Sequence, residues 1–131
     1  MAVLDEGGYG VLDALRATEL CAAVFSELGY DLARVGELSV VLVGADEIQD
    51  LNRRYRSIDA PTDVLSFELD GPYGEIVGEV VISPQSTHPE MGVDELVVHG
   101  ALHLGGMDHG DDFEASEMSR VQARIVERLG A

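Results

Sequence analysis

The sequence predicts an α+β fold, an α/β sandwich in which a small mixed β-sheet packs with helices. Segments with apolar residues at helical spacing alternate along the chain with short, β-branched segments. Two of the strand-like segments, 64–69 and 75–83, are joined by DGPYG, which is typical of a hairpin and therefore of antiparallel pairing. The chain has 131 residues, no internal repeat and no linker, so we expect one domain over 1–131.

The first half of the chain is predicted to hold two helices and one strand. Residues 12–28 are apolar at helical spacing and are followed by Gly29, which indicates an amphipathic helix. The segment 37–43, ELSVVLV, is β-branched and apolar, as in a buried strand. Residues 45–56 return to helical spacing with two acidic residues in the first turn, and a loop with a proline follows at 57–62.

The second half begins with the hairpin and ends with two helices. A loop with two prolines, 83–92, follows the second strand. Residues 93–104 are too apolar for a surface helix and predict a buried one, which Gly105-Gly106 ends. Residues 112–129 predict an amphipathic helix with an inward face formed by Phe113, Met118, Val121, Ile125 and Leu129.

Composition narrows the functional classes. The formal net charge of −17 means that long-range attraction to nucleic acid is not expected, and no DNA partner is expected. Cys21 is the only cysteine, which fits a reducing compartment. The start of the chain lacks the features of a signal peptide, and its apolar runs are too short to span a membrane. We therefore expect a cytoplasmic protein without membrane attachment.

All eight basic residues are arginines, and three of them cluster at Arg53, Arg54 and Arg56. Such a cluster has two interpretations. It can be a helix C-terminus, where cations interact favourably with the helix dipole, or a site for an anion. Composition alone favours the helix end.

Three of the four histidines fall within the segment HGALHLGGMDH, residues 99–109. His99 and His103 are four residues apart, so on a helix both rings point to one side. The glycine pair after the helix lets the chain turn back, so that His109 can supply a third ligand. Three imidazoles suit zinc and leave its fourth position open for water, as in catalytic zinc sites. The alternative is hydrogen-bonded structural histidines, and His88 is interpreted as a solvated loop residue.

The spacing of these histidines matches the long zincin motif H-E-x-x-H-x-x-G-x-x-H, including a glycine at Gly106. The motif's glutamate, the general base of the metalloproteases, is replaced by Gly100. The sequence therefore predicts a zincin-like three-histidine metal site without peptidase activity.

Long motifs in this chain resemble those of the YbeY endoribonucleases. HGALHLGGMDH is similar to the family signature H-G-x-L-H-L-x-G-Y-D-H. LNRRYRSIDAPTDVLSF, at 51–67, is similar to L-N-x-x-Y-R-x-x-D-x-P-T-D-V-L-S-F, and VGEVVIS, at 77–83, resembles a family strand. The resemblance extends from about Val40 to the last helix.

This resemblance implies a metal-dependent endoribonuclease specific for single-stranded RNA. The family acts in ribosomal RNA processing, notably in 3′-end maturation of the small-subunit RNA, and in ribosome quality control. One zinc per chain is expected, held by His99, His103 and His109. The expected catalytic residues are His99 and Arg56, the arginine of the family's Y-R pair. A ribosomal small-subunit protein or a GTPase is the expected protein partner.

Several neighbouring residues have two interpretations. Asp63 and Ser66 can line the site, or Thr62 and Asp63 can cap and turn the chain into the strand, and the local hydrogen bonding of Asp and Thr favours this structural role. Asp108 can orient a histidine or form a turn. Met107 replaces the family's tyrosine, and the link between 83 and 93 is shorter than in relatives, which bears on substrate choice more than on metal binding.

Three functions are therefore consistent with the sequence. The first is the endoribonuclease, in which the metal activates water or polarises the phosphate and Arg56 stabilises the developing charge. The second is a metal-dependent hydrolase of another substrate. The third is a non-catalytic zinc module that binds a ribosome-associated partner, which would usually need a fourth protein ligand on the zinc.

Overall fold

Four strands form one mixed sheet with helices on both faces in the computed structural model, which describes residues 1–86, 91–108 and 116–130. The sheet and its helices confirm the predicted α+β class. The elements in chain order are β1 (Ala2–Asp5), α1 (Ala14–Glu27), β2 (Val35–Leu42), α2 (Ala45–Arg56), β3 (Val64–Asp70), β4 (Ile76–Ile82), α3 (Val93–Leu104) and α4 (Glu117–Arg128).

The strand order is β1-β2-β4-β3, so β1 and β3 are the edges of the sheet. Strands β1, β2 and β4 run parallel. Strand β3 pairs antiparallel with β4, with Ser66 opposite Val80 and Glu68 opposite Gly78, which confirms the predicted hairpin. Because β3 is an edge strand, its outer side is open to side chains from other elements.

The larger hydrophobic core lies on one face of the sheet, between the strands and helices α1, α3 and α4. Helix α3 is at its centre, with seven of its twelve residues buried, which confirms the prediction of a buried helix. Removing this much apolar surface from water is the main force that fixes α3 against the sheet.

Helix α2 packs on the opposite face over a smaller cluster around Ile48 and Leu65. Its first turn holds Asp46 and Glu47, and its last turn holds the three clustered arginines. These charges complement the helix dipole at both ends, as the helix-end interpretation predicts. Ser57 ends the helix in the left-handed conformation, with φ of 59°.

Most predicted boundaries agree with the structure to within two residues. The helices predicted at 45–56 and 93–104 have the same bounds in the structure. The first helix begins later than predicted because Asp13 caps it, accepting a hydrogen bond of 2.8 Å from the Arg16 amide. In the described part of the last helix, Ser116 is the N-cap; Phe113, predicted to face inward, lies outside the described residues.

Strand β1 was not predicted from the sequence. It has only four residues at the edge of the sheet, and Leu4 is half exposed, so its alternation is too short to give a pattern. The Asp5 carboxylate ends the strand by accepting hydrogen bonds from the amides of Tyr9 (2.9 Å) and Gly10 (2.8 Å). The predicted loop at 83–92 contains a 3-10 turn at Pro84–Ser86; positions 87–90, which include His88, lie outside the described residues.

The single thiol lies inside the larger core. Cys21 is 4% exposed, and burial raises its pKa to about 12. Since the thiolate is the reactive form, this cysteine is a packing residue. None of the helices in the described ranges is long and apolar enough to cross a membrane.

Candidate active site

A cleft of about 540 Å³ lies where the second half of α3 meets strand β3 and the end of α2. Its floor includes apolar residues from β3 and α3, and its polar lining combines one guanidinium, two imidazoles, one hydroxyl and two carboxylates. These polar residues are Arg56, Ser66, Glu68, His99, His103 and Asp108.

Helix α3 brings His99 and His103 together at the cleft. Their ring centroids are 4.9 Å apart and the ring planes make an angle of 72°. This is the arrangement expected of residues four apart on one helix. Both rings are half-buried and line the same cleft, so two imidazole nitrogens can approach one ion.

Each of the two rings has an oxygen atom within hydrogen-bond distance of its Nδ1. His99 Nδ1 lies 2.9 Å from Gln122 Oε1, and His103 Nδ1 lies 3.0 Å from the carbonyl oxygen of Met107. Both partners are acceptors, so each Nδ1 donates a proton. In the neutral ring, the lone pair is then on Nε2, which is the form a metal requires.

A glycine turn after α3 positions the acceptor of His103. Gly105 ends the helix, and Gly106 has a φ of 98°, which favours glycine. The chain turns back there, so that the Met107 carbonyl lies beside the His103 ring. His109, the third predicted ligand, lies outside the described residues.

Gly100 packs against the sheet where the zincin motif has its glutamate. A Cβ atom at this position would lie 2.5 Å from Val80 Cγ1 and 3.1 Å from the Ser66 hydroxyl oxygen. Ser66 donates a hydrogen bond of 3.1 Å to the Gly100 carbonyl, which ties α3 to β3. There is therefore no space for a glutamate side chain, so the absence of the protease's general base follows from the packing.

Arg56 reaches the cleft from the last turn of α2. Its Nη2 donates a hydrogen bond of 3.0 Å to the Ser66 carbonyl on the open edge of β3. This bond holds the guanidinium at the cleft, with its other N–H groups available in a planar fork. The arginine is exposed, and it shares the cleft with both histidines.

The other sequence candidates are placed differently. Ser66 and Asp108 line the cleft, whereas Asp63, just before β3, is not among its described lining residues. The main-chain carbonyl of Asp63 accepts a hydrogen bond of 2.9 Å from the Ser83 amide.

Sequence reasoning missed two polar residues near the histidines. Gln122, on α4, is only 4% exposed. In the sequence it could have been found as a polar residue on the buried face of an amphipathic helix. Glu68 lines the cleft. In the sequence it could have been found from the alternation of side chains along β3, which places Glu68 on the same face as Ser66.

Comparison with known proteins identifies the family. The family model described as endoribonuclease YbeY matches residues 13–130. A Rubrobacter xylanophilus protein named endoribonuclease YbeY is 62% identical over 128 residues, covering 97% of this chain and 93% of that protein. The chain belongs to the YbeY endoribonuclease family. This confirms the family indicated by the sequence motifs.

Two further comparisons, with a second named relative and with a solved structure, each cover nearly the whole chain. An Azorhizobium caulinodans protein with the same name is 35% identical over 142 aligned positions, covering 98% of this chain and 89% of that protein. A solution structure from Thermotoga maritima superposes with a TM-score of 0.50 at 27% identity, covering 98% of this chain and 89% of that one.

Replacing Gly100 with alanine tests the packing of α3 on the sheet. The helix propensity of alanine would stabilise the helix by up to about 1 kcal/mol, while the contact with Val80 costs about 1–3 kcal/mol. We expect the clash to dominate, so that Gly100→Ala lowers the free energy of unfolding by about 1–2 kcal/mol. Urea denaturation followed by circular dichroism measures this change.

Gly92→Ser is the control, because no atom of the described residues lies within 4 Å of a Cβ built at Gly92. We expect its free energy of unfolding to change by only a few tenths of a kcal/mol, because Gly92 is the N-cap of α3 and serine and glycine are both favourable there. A Gly100→Ala protein as stable as the wild type would show that the helix does not depend on this close approach.

Proposed function

We propose that this chain is a zinc-dependent endoribonuclease specific for single-stranded RNA. The coarser statement, an RNA-cleaving hydrolase, follows from membership in the YbeY family. The observation that carries the finer proposal is the pair formed by His99 and His103, each with its Nδ1 hydrogen-bonded, in one cleft with Arg56.

The described residues fit a zinc ion. Two imidazoles whose Nε2 atoms carry lone pairs face one cleft, and His109 is the third ligand that the sequence predicts. When bound, zinc would polarise the scissile phosphodiester and lower the pKa of a bound water to about 7.

The charge balance of the cleft supports the same proposal. Its described lining residues carry one guanidinium, that of Arg56, and two carboxylates, those of Glu68 and Asp108. A dication between the histidines would reverse that balance, because a bound metal is often the largest local charge in a site.

Arg56 is proposed to stabilise the charge that develops on the phosphate. Its fork matches two phosphoryl oxygens, and the Ser66 carbonyl holds it in position. For proton transfer, the described lining offers the carboxylates of Glu68 and Asp108, and RNA brings its own 2′-hydroxyl.

The proposed physiological substrate is ribosomal RNA, at the 3′ end of the small-subunit RNA, with a ribosomal protein or GTPase as partner.

The first test is cleavage of a single-stranded fragment from the 3′ end of small-subunit ribosomal RNA. We expect the wild-type protein to cleave it with zinc, and both a chelator and His103→Ala to abolish cleavage. His103→Ala should also reduce the zinc content measured by atomic absorption, since it removes one ligand.

His88→Ala, which changes the one histidine outside the predicted ligand set, is the control and should retain activity. Parallel preparations of each variant exclude a contaminating nuclease. Cleavage that persists in chelator and in His103→Ala would show that the chemistry lies elsewhere.

The role of Arg56 predicts a loss of rate. Arg56→Ala should lower kcat by about 10²- to 10³-fold, the effect of removing one preorganised donor, and Arg56→Lys should recover only part of it because lysine lacks the fork. Zinc content should not change. The control is Arg34→Ala, which changes an exposed arginine outside the cleft. Cleavage by Arg56→Ala at the wild-type rate would show that Arg56 has no part in the mechanism.

Gln122 is proposed to position His99 for the metal. Gln122→Met keeps the volume but removes the acceptor, and should weaken zinc binding by about 10- to 100-fold. Gln122→Glu keeps an acceptor and should bind zinc at least as tightly as the wild type. Competition with a chromophoric chelator measures both affinities.

A packing role for Gln122 predicts the opposite order, because methionine is tolerated in a core and a buried carboxylate is not. Gln49→Met, the same change on the other face of the sheet, is the control. Zinc binding by Gln122→Met at wild-type strength would contradict the positioning role.

A further inference from the structure

An exposed aromatic ring lies beside the cleft, in the last turn of α2. Tyr55 directly precedes Arg56 and is 61% exposed. Its ring packs edge-to-face on Phe67 of β3, with ring centroids 5.3 Å apart and planes at 72°. The guanidinium carbon of Arg54 lies 5.6 Å from the centre of the same ring. We call these three residues, Arg54, Tyr55 and Phe67, the α2 shelf.

The α2 shelf is continuous with the cleft around the open edge of β3. Side chains alternate along a strand, so Ser66 faces α3 and the cleft while Phe67 faces the other side of the sheet. Arg56 crosses this edge, where it binds the Ser66 carbonyl. A chain leaving the cleft past Arg56 therefore meets Tyr55 next.

The charges around the α2 shelf favour a polyanion on its arginine side and disfavour one on its sheet side. Within the described ranges, Arg53 and Arg54 both pair with the carboxylate of Asp50, whose contact with Arg54 Nε is 3.0 Å, so two cations share one anion and the arginine side remains cationic. Glu79 lies opposite Phe67 on β4, which makes the sheet side acidic. Phosphates would therefore lie on the arginine side, and uncharged bases over the rings.

We propose that the α2 shelf binds a nucleotide of the single-stranded RNA that leaves the cleft, with its base stacked on Tyr55 and its phosphate near Arg54. This inference rests on the proposed ribonuclease function. Base stacking on aromatic side chains tolerates any sequence, because every base has a π-face. It also requires unpaired bases, so the α2 shelf would contribute to selection of single strands.

The test is binding of labelled, cleavage-resistant 2′-O-methyl RNA to the full-length protein with zinc, measured by fluorescence anisotropy. Oligonucleotides of about 12 and about 4 nucleotides compare a strand that extends beyond the cleft with one that does not. Tyr55→Leu should weaken binding of the long strand by about 5- to 100-fold. Binding of the short strand should change less than about 2-fold, since it needs no shelf.

Tyr55→Phe keeps the ring and should bind the long strand within about 2-fold of the wild type. Tyr73→Leu removes the tyrosine of the β3–β4 turn, which is 91% exposed, and should leave both affinities unchanged. With a cleavable long RNA, Tyr55→Leu should raise KM and leave kcat unchanged, because Tyr55 lies outside the reacting centre.

Wild-type affinity of Tyr55→Leu for the long strand would overturn the inference, while the ribonuclease function could still stand on cleavage and zinc dependence. The exposed rings would then fit a protein partner instead. Equal weakening for both lengths would also overturn it, since that result indicates a distorted cleft. A wild-type protein that neither binds nor cuts RNA would overturn the proposed function together with the shelf.

Discussion

The close approach of α3 to the sheet is the contact on which the cleft depends. Two glycines, one on each side of the contact, make room for it. A Cβ at Gly100 would lie 2.5 Å from Val80, and one at Gly78 would lie 2.7 Å from Leu104. With α3 seated this closely, its histidines lie at the open edge of β3, within reach of an arginine from the opposite face of the sheet. The cleft therefore depends on the absence of two side chains as well as on the polar residues that line it.

The acidic surface constrains how this protein can recognise RNA. At a net charge of −17, long-range electrostatics oppose the approach of a polyanion, so affinity must come from contacts made at short range. The groups proposed to make such contacts lie along one path: a cleft with two histidines, the fork of Arg56, and then the exposed ring of Tyr55. Each of these contacts acts over a few ångströms, where salt screens the interaction little and the fit of the RNA to the site determines the affinity. An unpaired strand can present its phosphates and bases separately to these groups, whereas a duplex cannot.

The sequence predicted the elements whose residues repeat a clear pattern. Helix α3 has the predicted bounds because its apolar composition and its closing glycines are both local signals. The pairing of His99 with His103 was likewise predictable, since four residues on a helix fix their geometry. Strand β1 was missed because four edge residues carry too little alternation, and Gln122 was missed because its role depends on how α4 packs against α3. Contacts between elements distant in the chain, such as that of Arg56 with the Ser66 carbonyl, follow from tertiary packing that local patterns do not encode.

Gly100 separates this site from the metalloproteases that share its histidine spacing. In those enzymes a glutamate after the first histidine acts as general base, but here that position packs against Val80 and accepts the Ser66 hydroxyl at its carbonyl. The helix face that would carry the general base is therefore buried against the sheet. Other groups are then the candidates for proton transfer, among them the carboxylates of Glu68 and Asp108 in the described lining, a metal-bound water, or the substrate itself. A peptide carries no such group next to its scissile bond, whereas RNA carries a 2′-hydroxyl beside each phosphate, so the packing of one glycine favours RNA over a peptide as the substrate.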